Sequence, residues 1–238
     1  MSASSTGPAT GVIITIDGPA GTGKSTVAHL LAERLGLDYL DSGSMYRAAA
    51  VVSIEQGIHV DDADRLAEAL QQIDLRFDWK QSPPQLQLDG RDISQRIREM
   101  DVSGVVSEVA KQPPVRSVLV GAQRRIAQEH PRLVSEGRDQ GSVVFPNALI
   151  RFYLDADPRV RAIRRVRQLT SSGHQVDVSE VTEDIRHRDH LDSTRSDGPL
   201  ICPEGAIIID TSQLEVDEVV DLMERAARDR ISGDMTGC

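Results

Sequence analysis

Residues 12–35 read VIITIDGPAGTGKSTVAHLLAERL, and this stretch decides the fold. Val12–Ile16 is a continuous β-branched run, the pattern of a strand buried on both faces. From Ser25 to Leu35 the apolar residues recur at helical spacing, and Gly36 closes the run. Between them, Gly18–Ser25 (GPAGTGKS) fits G-x-x-x-x-G-K-[ST] at every fixed position. Glycines there let successive backbone N–H groups turn inward around phosphate oxygens, and the next helix presents its positive end. Lys24 is placed to reach β- and γ-phosphates, and the Ser25 hydroxyl to coordinate Mg²⁺. The expected nucleotide-binding set is Gly18, Pro19, Ala20, Gly21, Thr22, Gly23, Lys24, Ser25 and Thr26.

Outward from this unit the chain alternates strands and helices. A short strand passes through Tyr39 and Leu40, helical spacing resumes from Ser44 to about Gln56, and Asp61-Asp62 cap a helix to Gln72. In residues 73–92 the period changes to two (Leu75, Phe77, Trp79, then Leu86, Leu88 after Pro83-Pro84), which predicts an inserted antiparallel hairpin. Helices are expected over 101–111, 113–129, from Pro158, over 179–190 and over 215–230. Further strands are expected at 132–135, 149–154 and 206–209, the last as a buried strand. The fold class is α/β: a three-layer phosphate-loop fold with a mainly parallel five-stranded core sheet.

Composition narrows the function. The chain has 238 residues and a formal net charge of -10, which argues against sequence-independent binding to a nucleic acid polymer. No apolar run approaches the ~20 residues of a membrane span, and residues 1–10 and 232–238 read as tails rather than targeting segments. Cys202 and Cys238 form no disulfide or zinc pattern, so a reducing cytoplasm is expected, and no exposed heptad pattern suggests more than a monomer. A guanine-specificity element of the Asn-Lys-x-Asp type is absent, because Asn147 is the one asparagine and Ala148 follows it.

Three further segments carry chemistry. DSGSMYR (41–47) follows the second strand; alone, Asp41 and Ser42 read equally as a helix cap and Arg47 as a surface charge. EGRDQGSVVFP (136–146) sets Glu136 at a strand end, where a carboxylate can orient Mg²⁺ through water, with Asp139 available for substrate and Arg138 between two glycines whose freedom can aim it at a phosphate. RHRDHLDSTR (186–195) puts Arg188, Asp192 and Arg195 on one helical face. Arg159, Arg161, Arg164, Arg165 and Arg167 spread around one helix, so only some can face a nucleotide.

Taken in order, IDGPAGTGKS, LDSGSMYR, EGRDQGSVVFP and RDHLDSTR resemble the bacterial cytidylate kinase family, from about Val12 to Arg230. The resemblance implies a single kinase unit over 11–231, with core segments 11–43, 131–157 and 191–231. It also implies an enlarged monophosphate-binding region over about 44–130 and a helical lid over about 158–190. By the same resemblance Ser42, Arg47 and Arg138 serve the acceptor phosphate, Arg195 matches a further phosphate-binding arginine, Ser107, Arg116 and Asp139 read the base, and Arg188 and Asp192 address the ribose. Lys24, Arg138, Arg188 and Arg195 form the implied catalytic set, and Ser25 with Glu136 (through water) the implied Mg²⁺ site. The implied activity is phosphoryl transfer from ATP to CMP and dCMP. Glu136 stands where some members have Asp, and Leu191 where some have a polar residue. A kinase of another small acceptor, such as UMP or shikimate, and a non-catalytic nucleotide-binding regulator are the competing readings.

Overall fold

Five parallel strands form the centre of the computed structural model, which describes residues 11–171 and 175–235. In chain order the first elements are β1 (Val12–Asp17), α1 (Lys24–Leu35), β2 (Asp38–Asp41), α2 (Ser42–Glu55) and α3 (Ala63–Gln72). A small antiparallel sheet follows, made of β3 (Leu75–Asp78), β4 (Gln85–Leu88) and β5 (Arg91–Asp92). Then come α4 (Met100–Ala110), α5 (Pro113–Glu129), β6 (Arg132–Glu136) and β7 (Ile150–Asp155). The chain continues through α6 (Pro158–Ser171), α7 (Val178–Thr194), β8 (Ile207–Asp210) and α8 (Val216–Met235).

The central sheet has the order β2-β6-β1-β7-β8, so β1 sits in the middle with Ile16 opposite both Glu136 and Phe152. Both faces of β1 are covered, which explains its unbroken apolar run. On one face Ile14 and Ile16 belong to a cluster with Val27, Leu31, Phe152, Val220 and Met223. On the other side α2, α4, α5 and the small sheet build a second cluster around Leu40, Met45, Leu66, Leu86 and Leu119. Each fully buried Leu, Ile or Phe there contributes about 1.5–3 kcal/mol relative to exposure. Gly36 ends α1 in the left-handed conformation (φ 62°), with the Leu37 amide bonded back to the Ala32 carbonyl.

Several expectations need correction. β8 was expected to be buried, yet it lies at the sheet edge with Ile207 and Ile208 exposed and Ile209 alone buried. A short apolar run has the same pattern at an edge as in a centre, so sequence could not separate the two. Trp79 lies just past β3 and stacks on His130, 3.9 Å between ring centroids, rather than alternating within a strand. α7 runs to Thr194, four residues beyond the helix end expected at His190. α8 continues to Met235, into the segment expected as a tail; residues 1–10 and 236–238, including Cys238, lie outside the described residues. Among the described residues no helix is long and apolar enough to cross a membrane.

Candidate active site

The turn from β1 to α1 is built on glycine. Gly18, Gly21 and Gly23 have φ of 146°, 81° and 90°, values that side-chain-bearing residues rarely adopt. A Cβ at Gly18 would also run into the Leu154 carbonyl of β7. Lys24 lies back in this loop, with Nζ donating to the Pro19 carbonyl at 2.7 Å and to Thr22 Oγ1 at 3.4 Å. Burial first, then the nearby Arg138 charge, pushes its pKa down to about 7. Such an ammonium gains from an arriving polyphosphate, which supplies the opposite charge it lacks. Just after the loop, Ser25 Oγ donates to Glu136 Oε1 at 2.6 Å.

Glu136 ends β6 beside Asp41, which ends β2; the strands place these residues opposite each other. Burial, then the Glu136 charge, raises the pKa of Asp41 to about 7. Two crowded carboxylates next to a serine hydroxyl form a hard oxygen set, and the charge they concentrate suits Mg²⁺. Such a cation would take Ser25 directly and Glu136 through water, with phosphate oxygens supplying further ligands. Among the described residues no group of three or more His, Cys, Asp and Glu could hold a metal by itself.

Beyond Glu136 the chain turns through Gly137–Asp139 into a π-helical segment, Gln140–Val144. Ser42 Oγ donates to the Glu136 carbonyl at 2.7 Å, and a Cβ at Gly137 would collide with that hydroxyl. Arg47 donates to the Ile97 carbonyl at 3.2 Å and to Ser103 Oγ at 3.0 Å. Ser107, one turn further along α4, is half-buried. Arg116 is 1% exposed and Asp139 2% exposed. Arg116 Nη2 donates to Asp139 Oδ2, and Nη1 donates to the Tyr46 hydroxyl at 3.1 Å. Asp197 approaches Arg116 Nε from the other side at 3.3 Å.

Arg138 Nε donates to Asp192 Oδ2 at 2.8 Å, while Arg195 lies 3.9 Å from both Asp139 and Asp192. Arg188 instead pairs with Asp184 at 3.1 Å and reaches the Ser103 carbonyl at 3.5 Å, so it is not paired with Asp192. Helical side chains lean toward the preceding turn, which brings Arg188 to Asp184 and leaves Asp192 for Arg138. The guanidinium groups of Arg47, Arg138, Arg165 and Arg188 feel one another. Burial and then the Arg188 and Arg165 charges lower the pKa of Arg47, and burial and then Arg188 lower that of Arg165. Like charges held together in this way make a receptor for a multiply charged anion.

The arginines of α6 separate by role. Arg161 is buried and donates to the Ala156 and Ala20 carbonyls at 2.9 and 3.1 Å and to Asp189 at 2.6 Å. Arg164 donates to Thr211, whose hydroxyl in turn donates to the Thr22 carbonyl at 3.3 Å. These two brace the phosphate loop from behind. Arg165 is the α6 arginine whose charge is felt by Arg47. Sequence reasoning missed Asp17, Tyr46, Ser103, Asp197 and Gly198. Tyr46 and Asp17 each stood inside a quoted motif, whereas Asp197 had no signal beyond closeness to Arg195.

Comparison with known proteins identifies the family. The family model described as "Cytidylate kinase" matches residues 14–229. A protein named cytidylate kinase from Caldanaerobacter subterraneus subsp. tengcongensis is 44% identical over 224 residues, covering 94% of this chain and 98% of its own. One of the same name from Rhodococcus opacus is 43% identical over 209 residues, covering 88% and 91%. A gluconokinase structure from Sinorhizobium meliloti superposes with TM-score 0.50 at 15% identity, covering 95% of this chain and 97% of its own, which shows a shared fold alone. With a matching model over most of its length and relatives above 40% identity, the chain belongs to the cytidylate kinase family.

Proposed function

We propose that this chain transfers the γ-phosphoryl group of ATP to CMP, and also to dCMP, by direct in-line displacement assisted by Mg²⁺. The observation that carries this reading is the Arg116–Asp139 pair, buried with Arg195 3.9 Å from Asp139 and with Arg138, whose charge reaches Lys24, next to Asp139 in the chain. Cytosine presents an amino donor next to a ring acceptor, and a carboxylate with a guanidinium matches that edge. Uracil reverses the pattern and leaves buried groups mispaired, which is a strong source of discrimination.

The loop amides and Lys24 hold the ATP phosphates, while Ser42, Arg47, Arg138 and Arg195 hold the acceptor phosphate facing them. Ser107 joins Arg116 and Asp139 at the base, and Asp192 with Arg188 serves the sugar. Ser25, with Glu136 through water, would hold Mg²⁺, which would supply positive charge against that developing on the phosphates. The acceptor oxygen is already ionised at neutral pH, so no general base is required, and positioning with charge stabilisation supplies the catalysis. With nucleotides as its substrates, the protein is read as acting in the cytoplasm, and as a monomer.

The test is purified protein with MgATP against CMP, dCMP, UMP and AMP, reading each diphosphate directly. CDP formation that disappears in Lys24→Ala is the expected result. Turnover of UMP or a non-nucleotide acceptor with CMP inert would remove the base-reading assignments. ATP binding without turnover of any acceptor would make the protein a nucleotide-binding regulator.

A further inference from the structure

Asp17 closes β1 one residue before the phosphate loop begins, and its side chain is fully buried. Its two carboxylate oxygens each accept a backbone N–H at 2.7 Å, Oδ1 from Gln140 and Oδ2 from Gly141. The neighbouring Ile16 carbonyl accepts the Gly137 amide at 3.0 Å, so the end of β1 holds the turn at both of its ends. Between those anchors lie Arg138 and Asp139 alone, one directed to Asp192 and the other to Arg116. A second clamp grips the same segment from α5. Ser135 Oγ donates to Gln140 Oε1 at 2.7 Å, and Gln140 Nε2 donates to Gln123 Oε1 at 3.1 Å, with Gln123 and Gln140 fully buried. Gln123 lies two turns beyond Arg116 on α5.

We infer that Asp17 is a positioning residue for the acceptor site: through the Gln140 and Gly141 amides it sets where Arg138 and Asp139 stand relative to the phosphate loop. A carboxylate suits this task because it is acceptor-only, with one oxygen for each inward-pointing amide. An asparagine of the same shape offers one oxygen and would press its NH₂ against the second amide. The fold carries a cost for this carboxylate. Burial raises its pKa to about 6, with Asp139 adding to the rise and Lys24 opposing it, while Tyr153 and Cys202 lie within range of its charge. For a carboxyl with a raised folded-state pKa, the stability it contributes is full below its ordinary 3.8 and is lost as pH rises through 6. At neutral pH Asp17 is therefore charged at the expense of stability, as befits a group whose benefit lies in the site.

This inference rests on CMP being the acceptor. The experiment measures CDP formation by the wild type, Asp17→Asn and Asp17→Ser, varying CMP and ATP separately, with a thermal melt of each. The expected result is a KM for CMP raised about tenfold or more, with KM for ATP changed less than about threefold. The thermal midpoint should stay within about 5 °C of wild type. KM for CMP within about twofold of wild type in a folded variant would overturn the inference, as would KM values for CMP and ATP that rise together. Failure of both variants to fold would also overturn it, since Asp17 would then be needed for the core and not for the loop. A wild type that makes no CDP would remove the functional reading and this inference with it; a wild type that turns over beside unchanged variants removes the inference alone.

Discussion

Ser25 and Glu136 are 111 residues apart in sequence, yet the serine hydroxyl donates to the glutamate carboxylate at 2.6 Å. The contact exists because β1 and β6 are parallel neighbours, with Ile16 in register with Glu136. It joins the nucleotide side of the site to the strand that delivers the acceptor loop. Glu136→Gln retains the shape and removes the charge. The free Mg²⁺ giving half-maximal rate should rise about 10- to 100-fold, as for other groups that orient a metal's ligands. A Mg²⁺ titration at saturating ATP and CMP checks this. The variant's melting temperature should not fall, since Asp41 loses a like-charged neighbour.

Arg116 and Asp139 should depend on each other for stability as well as for recognition. Among the described residues, Arg116→Met leaves the buried carboxylate with the more distant Arg195, at 3.9 Å, as its one cationic partner. Breaking a buried pair by removing one partner costs about 3–5 kcal/mol. Denaturant unfolding should show that loss. The preference for CMP over UMP should collapse in the same variant, read as the ratio of kcat/KM values.

Arg165 and Arg164 are adjacent on α6 and should behave differently. Arg165→Ala removes a charge from the cluster with Arg47 and Arg188, and kcat should fall about 10²-fold with little change in melting temperature. Arg164→Ala removes the bonds to Thr211 and should appear first as a lower melting temperature. Steady-state kinetics beside a thermal melt of each variant separates the two.

Gly198 has φ 58°, and a Cβ there would strike both Arg116 Nη2 and Asp139 Oδ2. Gly198→Ala should cost about 1–2 kcal/mol from backbone conformation alone. The larger effect should be on CMP affinity, because Arg116 and Asp139, proposed to read the base, must shift to admit the methyl group. Calorimetric titration with CMP checks it, and ATP affinity should change little.

The phosphate loop was legible in the sequence because its requirements are local. Glycines at fixed spacing, a strand before and a helix after lie within 24 consecutive residues, so near neighbours in sequence set the conformation of the loop. β1 was legible for a similar reason, since burial on both faces leaves a continuous β-branched run. The edge position of β8 was not, because Ile207 and Ile208 look the same in sequence whether or not a layer covers them.

Motif order pointed to the family, but the partners of each charged residue came only from the tertiary structure. On α7, Arg188 could pair with Asp184 or Asp192, which lie four residues to either side; Arg138, arriving from β6, takes Asp192 and settles the choice. Helical spacing likewise could not say which α6 arginine faces the acceptor cluster, because Thr211 and Asp189, which hold Arg164 and Arg161, come from distant segments. Sequence by itself thus determined the local phosphate receptor and the core strands, where each residue's role depends on its near neighbours. The pairing of buried charges was decided by the fold, because a Coulomb interaction depends on distance through space and on exclusion of water, and neither is a property of the linear chain.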